Sequence, residues 1–441
     1  MTRYLLLACL VLSLLPTSPA AAQTRDEKVR NDRKKIEADG FWIYNDLAKG
    51  FQQAEQTGKP LLVILRCIPC DECVKLDDEI IDKHPRVRPL LDKFVCVRLV
   101  STNGLDLSLF QFDTDQSFAA FMFNADRTIY GRFGTRSAQK EWAGDVSVEG
   151  LGRALEGTLE LHRRFAEVKA SLAAKKGPTP DFKVPEKYPQ LEGKYGSELD
   201  YSGNVVKSCI HCHQIGDAQR AYHLKTGRIP DAVLFQYPHP KAVGLVLDPN
   251  QRAVVKSVTP DSLAESAGFK PGDSIESFEG QPLLSIADAQ WVLHHASSEG
   301  ATLKAVVRRG NSTQTLNLKL PAGWRKLDDI AWRASTWELR RTAAGGFFSK
   351  SVPEDERPKL SLKPTEMALR VEHVGQYSPH DVAKRAGFLK GDIIVSFDGQ
   401  SNLLRETDLL VWSLERRKSG DKVEVAILRD GQRKTLTLPI P

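Results

Sequence analysis

Strand and helix patterns alternate over residues 41–174, a Lys/Pro-rich stretch occupies 175–190, and a ten-residue block recurs in the C-terminal half. These observations predict a multidomain chain, α/β first and β later. In the first unit Asp46–Gln56 has a helical pattern and Pro60–Arg66 is an apolar run of strand length. Cys73–Ile81 is again helical. Phe94–Val100, Ala119–Phe123 and Tyr130–Phe133 read as strands, the last two joined across Asn124-Ala125-Asp126. Val148 to Ala174 closes the unit as a long helix, which completes a small α/β sandwich. Lys175-Lys176-Gly177-Pro178-Thr179-Pro180 has linker composition. A short segment, 191–240, follows. Then Ala264-Glu-Ser-Ala-Gly-Phe-Lys-Pro-Gly-Asp273 recurs 119 residues later as Ala383-Lys-Arg-Ala-Gly-Phe-Leu-Lys-Gly-Asp392. Each copy leads into β-rich sequence, giving units at 241–320 and 344–441. The connector between them, 321–343, holds Trp324, Trp332 and Trp337, whose simplest role is packing between domains.

The chain has 441 residues, 41% hydrophobic and 27% charged, the balance of a soluble globular protein. Arg3, the apolar run Leu5–Leu15 and the small residues up to Ala22 read as a secretory signal peptide, 1–22. Cleavage near Ala22 predicts a periplasmic or secreted protein with no transmembrane segment. Without Arg3 and Cys9 the net charge falls by one from +6 to +5, and seven cysteines become six. Both signs are interspersed, so no basic stripe supports nucleic acid binding. Residues 23–40 form a solvated, charged linker in this reading.

Two cysteine clusters carry the chemistry. In the first, Lys59-Pro-Leu-Leu-Val-Ile-Leu-Arg-Cys67-Ile-Pro-Cys70-Asp-Glu-Cys73 resembles the opening strand and active-site turn of the thioredoxin family. The resemblance puts Cys70 on the nucleophile and Cys73 on the resolving position. A thiol at the first turn of a helix has its thiolate stabilised by unpaired backbone N–H groups, and a partner three residues on can close the disulfide. The sequence departs from the family at Pro69, which replaces a tryptophan, at Ile64, which replaces a buried carboxylate, and at Phe118, near the family's cis-proline. Cys67 adds a third thiol. Cys67/Cys70 therefore competes as a pair, and a structural disulfide or a three-thiolate soft-metal site stays open. Cys96 lies in an apolar strand and reads as a core residue.

The second cluster is Cys209-Ile-His-Cys212-His213, continued to Gly216. C-x-x-C-H is the attachment signature of c-type haem: two thiols add to the vinyl groups, and the histidine ligates the iron. It is similar to the C-x-x-C-H-x-x-G of small cytochromes c. A zinc site would need four ligands, and Cys209, His211, Cys212 and His213 are too crowded in sequence to supply them all. The segment is small for a haem-burying fold, so neighbouring domains would have to shelter the group. Met1, Met122 and Met367 are all distant in sequence. His223 and His239 are therefore the local candidates for a sixth ligand, though each also reads as an ordinary surface histidine.

The repeat copies resemble PDZ domains of the bacterial type found in HtrA-like proteases. The resemblance places a carboxylate-binding loop at Val243-Gly244-Leu245-Val246 and at Gly345-Gly346-Phe347-Phe348. There, backbone N–H groups would face a peptide C-terminus and the next strand would add the peptide to its edge. Ile286–His295 and Glu406–Leu414 would form the second wall. No Gly-x-Ser-Gly nucleophile region is present, which argues against a protease. Taken together, a thioredoxin-like α/β sandwich, a C-x-x-C-H segment and two PDZ-like β domains resemble secreted bacterial multidomain proteins of planctomycete type. The implied function is exported redox or electron transfer, with haem c, a dithiol and PDZ-recruited partners. The rival is a non-enzymatic periplasmic PDZ adaptor with structural disulfides.

Overall fold

The structure is a computed structural model that describes residues 24–66, 84–116, 118–134 and 145–441. The predicted helix Cys73–Ile81 lies outside the described residues. The N-terminal sheet contains β1 (Ile43–Tyr44), β2 (Leu61–Arg66), β3 (Val95–Leu99), β4 (Phe118–Phe123) and β5 (Ile129–Phe133), in the order β1-β3-β2-β4-β5. β2 is central. It pairs in parallel with β3 (Leu62 opposite Cys96) and antiparallel with β4 (Leu62 opposite Met122). A strand covered on both faces needs no polar side, which explains its continuous apolar run. Its side chains divide by period two: Leu61, Val63 and Leu65 enter one core, Leu62 and Ile64 the other. Helix α1 (Arg25–Asp39) precedes the sheet. α2 (Leu47–Thr57) begins where Asp46 accepts from Lys49 N–H at 2.9 Å. α3 (Val148–Arg163) is capped by Ser147, which accepts from Gly150 N–H. Cys96 is a core residue as the apolar pattern predicts, and burial pushes its thiol well above the usual range.

The segments with linker composition are packed. α1 buries Val29 and Ile36, pairs Asp32 with Arg66 at 2.6 Å, and accepts Val206 N–H on Asp26 at 2.8 Å. Lys175 is fully buried against Asp288 at 2.9 Å. The short C-x-x-C-H segment shares the core of the sheet instead of building its own. Tyr188, Leu191, Ile210, Ile215 and Ala218 pack with Leu65, Leu99 and Phe110. The segment itself is thus held by the neighbouring sheet. Helix α4 (Cys212–Thr226) carries the second half of the motif.

The first β unit comprises the hairpin β6 (Leu245–Leu247) and β7 (Val255–Val258), and a sheet of β8 (Ser274–Phe278), β9 (Gln281–Pro282), β10 (Ala301–Arg309) and β11 (Ser312–Leu320). Helix α5 (Ile286–His295) packs on it. Helix α6 (Thr336–Ala344) leads into the second unit. That unit holds β12 (Phe347–Ser351), β13 (Leu369–Val374), β14 (Ile393–Phe397), β15 (Lys422–Arg429) and β16 (Gln432–Pro439), with α7 (Glu406–Arg416). The repeated block has a structural reason. In each copy its terminal aspartate takes a forked arginine from the following hairpin, Arg309 on Asp273 and Arg429 on Asp392, with bonds of 2.7 Å. The same guanidinium groups bond the carbonyls of Gly268 and Gly387, whose φ of 86° and 92° favours glycine.

A buried polar hub ties the units together. Arg333, from the connector, bonds Asp113 at 2.6 Å, Asp115 at 3.3 Å and the Gln236 carbonyl at 2.6 Å. Ser335 donates its N–H and hydroxyl to Asp115, and Arg220 of α4 lies 3.9 Å from the same carboxylate. Burial opposes ionisation of Asp115, but Arg333 and Arg220 outweigh it and hold the carboxyl below its usual range. At Asp113 burial wins over Arg333 and raises it.

Candidate functional site

The C-x-x-C-H motif is clamped to the carboxyl end of the N-terminal sheet. Thr102, just beyond β3, bonds the Ile210 carbonyl through its N–H at 3.1 Å and its hydroxyl at 2.8 Å. Asn103 accepts from Ile210 N–H at 2.8 Å and donates to the Ser208 carbonyl at 2.9 Å. Ile210 is consequently sealed in the core, while Cys209 and Cys212 on either side line one cleft. Leu65, Arg66, Leu99 and His211 complete that cleft, together with the chain after β3. Arg66 ends β2, and the next residue in the sequence is Cys67. Cys67, Cys70 and Cys73 themselves lie outside the described residues.

Cys209 is buried, Cys212 half-buried and His213 exposed. His211 caps α4, its N–H bonded to Gln214 Oε1 at 2.7 Å, and its ring stacks on that of His213 at 5.8 Å with planes 1° apart. Burial, then the neighbouring His213, keeps the His211 imidazole below its usual range. One turn along α4 from His213, burial pushes the Asp217 carboxyl up to about 7 against the pull of Arg220. Two thiols and an adjacent histidine are the donor set that thioether attachment requires. The cleft between the thiols and the sheet encloses only about 10 Å³, room for one water. His213, on the other side of the motif, is exposed.

The two other predicted histidines face carboxylates. His223 lies ten residues further along α4, about 15 Å at helical rise, and faces Asp181 at 3.5 Å. His239 faces Asp145 at 3.3 Å and accepts Lys241 N–H. Sequence reasoning passed over Thr102 and Asn103. Their only signal was a polar pair directly after an apolar strand.

In the first β unit Val243 and Leu245 are buried, Val246 is half-buried, and Gly244 N–H closes a turn on the Lys241 carbonyl at 2.9 Å. Its wall helix α5 is buried from Ile286 to Leu293, partly in the core of its own unit and partly against the N-terminal sheet. Arg132 stacks on Trp291 at 3.7 Å, Trp291 Nε1–H donates to the Ala174 carbonyl at 2.9 Å, and Ser285 donates to the Arg132 carbonyl at 2.6 Å. In the second unit, Gly345 and Gly346 donate to the Arg341 and Arg340 carbonyls at 3.2 and 3.0 Å. Phe347 is buried and Phe348 half-buried. Burial raises Glu406, at the start of α7, even though Arg340 pulls it down.

The thioredoxin-like family model matches residues 42–125, and the PDZ domain model matches twice, at 239–320 and 360–440. The chain thus carries a thioredoxin-like domain followed by two PDZ domains, in the order the sequence predicts. The second match starts beyond β12, although that strand joins the second sheet. The chain is similar to a probable periplasmic serine endoprotease DegP-like of Marinomonas sp. (strain MWYL1), 27% identical over 187 residues, covering 42% of this chain and 36% of that one. It is also similar to a putative protease Do-like 14 of Arabidopsis thaliana, 34% identical over 70 residues, covering 14% and 16%. It therefore spans little more than a third of the first relative's length and less of the second. Among solved structures, the HtrA-type protease AlgW is matched with a decapeptide (18% identity, TM-score 0.20, 32% of this chain and 48% of that one). The same protease with a tripeptide gives 21% identity and a TM-score of 0.19, over 30% and 41%. Among the described residues, no helix is long and apolar enough to cross a membrane.

Proposed function

We propose that this chain is an exported redox protein in which Cys209 and Cys212 hold one c-type haem, His213 supplies an axial bond, and Cys70 and Cys73 form a dithiol. The PDZ domains bind peptide or protein partners, and in this reading they bring the redox centres to a client. The carrying observation is the shared cleft. Cys209 and Cys212 line it together with Leu65 and Arg66, and the strand that ends there runs directly into Cys67. Cys70 follows Arg66 by only four positions, at most about 14 Å of extended backbone. The haem would supply one-electron chemistry. The protein's part is to fix both thiols through Ile210, to present His213 outward, and to bury the edge of the motif against β2 and β3. The periplasmic setting named for the Marinomonas relative supports export.

Expression with a cytochrome c maturation system tests the haem. Wild type is expected to keep a haem stain through denaturing electrophoresis and to give a pyridine haemochrome band, and Cys209→Ala with Cys212→Ala is expected to lose both. Colourless wild type would leave the adaptor reading, which the tight packing around Cys209 favours. For the dithiol, Cys70→Ser should lose turnover of a model disulfide. Unchanged turnover removes the oxidoreductase assignment.

A further inference from the structure

Helix α6 sits between β12 and α7, the place where a PDZ domain receives a peptide as an added strand. It touches both walls. On the strand side, the Arg340 guanidinium covers the Phe348 ring at 4.5 Å. On the helix side, Arg340 bonds the buried Glu406 carboxylate from Nε at 3.0 Å and from Nη2 at 2.6 Å. Ser413 of α7 donates to the Ala343 carbonyl at 2.7 Å. The second Glu406 oxygen accepts Ser349 N–H at 2.7 Å. β12 is the terminal strand of its sheet, so that N–H is spent on Glu406 where an incoming strand would take it. The loop amides of Gly345 and Gly346 are likewise spent on closing the end of α6.

We propose that α6 is the resident ligand of the second PDZ groove. The groove then selects a partner segment that brings an arginine or lysine beside an apolar residue to Glu406 and Phe348, in place of Arg340. The inference rests on the PDZ domain acting as a peptide-binding module. Its physical basis is the buried carboxylate. Stripping Glu406 of its cation in this cleft is costly, so α6 is exchanged readily only for another positively charged segment. α6 has nine residues, too few to hold a helix alone in water, so its position depends on these contacts. A tethered occupant competes at high effective concentration, which keeps the groove closed to weak ligands.

The test is fluorescence anisotropy of a labelled peptide with the sequence of residues 336–344, titrated with the full chain. Arg340→Ala empties the resident's contact. Arg341→Gly weakens the helix without touching Glu406. Binding is expected to tighten about tenfold or more in Arg340→Ala and about threefold in Arg341→Gly. It is expected to vanish when the peptide's arginine matching Arg340 becomes glutamine, or when Glu406→Gln is added. Should Arg340→Ala fail to fold, Arg341→Gly decides alone. Equal binding by wild type and the folded variants overturns the resident-ligand role. Binding indifferent to the peptide's arginine overturns the selectivity. No binding of either peptide by variants that stay folded by circular dichroism overturns the peptide-binding reading itself.

Discussion

Arg333 shows how much one side chain can carry here. It is buried with Asp113 and Asp115, and Arg333→Ala would leave two carboxylates in the interior without their main cation. A loss of about 3–5 kcal/mol is expected, measurable by urea denaturation. Nearby Asp328 supplies a pH signature. Burial pushes its carboxyl up to about 7 despite Arg333, whereas an unfolded aspartate titrates near ~3.9. Between about pH 4 and pH 7 the folded chain keeps a proton that the unfolded chain has released, so stability falls as pH rises and then levels off. Melting temperatures from about pH 4 to 8 check this, and Asp328→Asn is expected to flatten that part of the profile. None of these residues stood out in the sequence. A buried charge and a surface charge share one letter, and their partners lie up to 220 positions apart. The cysteines and His213 were legible because a short spacing fixes their chemistry locally. Thr102 and Asn103 were not, since their role exists only once residue 210 is folded against them.

At the scale of elements, periodicity and turn chemistry located four of the five strands of the first sheet and missed the two-residue β1. Composition misled where polarity was taken for exposure. Residues 23–40 and 175–190 look like linkers, yet each contributes a charged side chain that pairs with a distant, buried partner. The motif helix shows the same dependence on packing. A Cβ at Gly216 would lie 3.0 Å from Thr114 Oγ1 and 3.3 Å from Gln236 Nε2. Gly216→Val is therefore expected to cost about 1–3 kcal/mol and to speed proteolysis near Cys209. Proteolysis at the wild-type rate would place Gly216 further from Thr114 and Gln236 than the structure does.

At the scale of the molecule, the first PDZ domain is welded to the thioredoxin-like domain. Lys175 and Asp288 are both fully buried, and Asp288 also accepts the N–H groups of Arg132 and Leu284. Lys175→Met should cost about 3–5 kcal/mol. In scanning calorimetry it is expected to split one transition into two, as α5 comes away from β5. A single transition shifted by less than a degree would mean that the two domains melt independently of this contact.

The same long-range hub sets an order of events during synthesis. Asp113 and Asp115 leave the ribosome well before Arg333 and Ser335, which lie as many as 220 positions later. At about 5–20 residues per second, that is a wait of about 10–45 s. The thioredoxin-like core also waits for Ile210 and Ile215. The nascent N-terminal half must persist through that interval with acidic side chains unneutralised and apolar surface uncovered, which makes it a natural client for a holding chaperone.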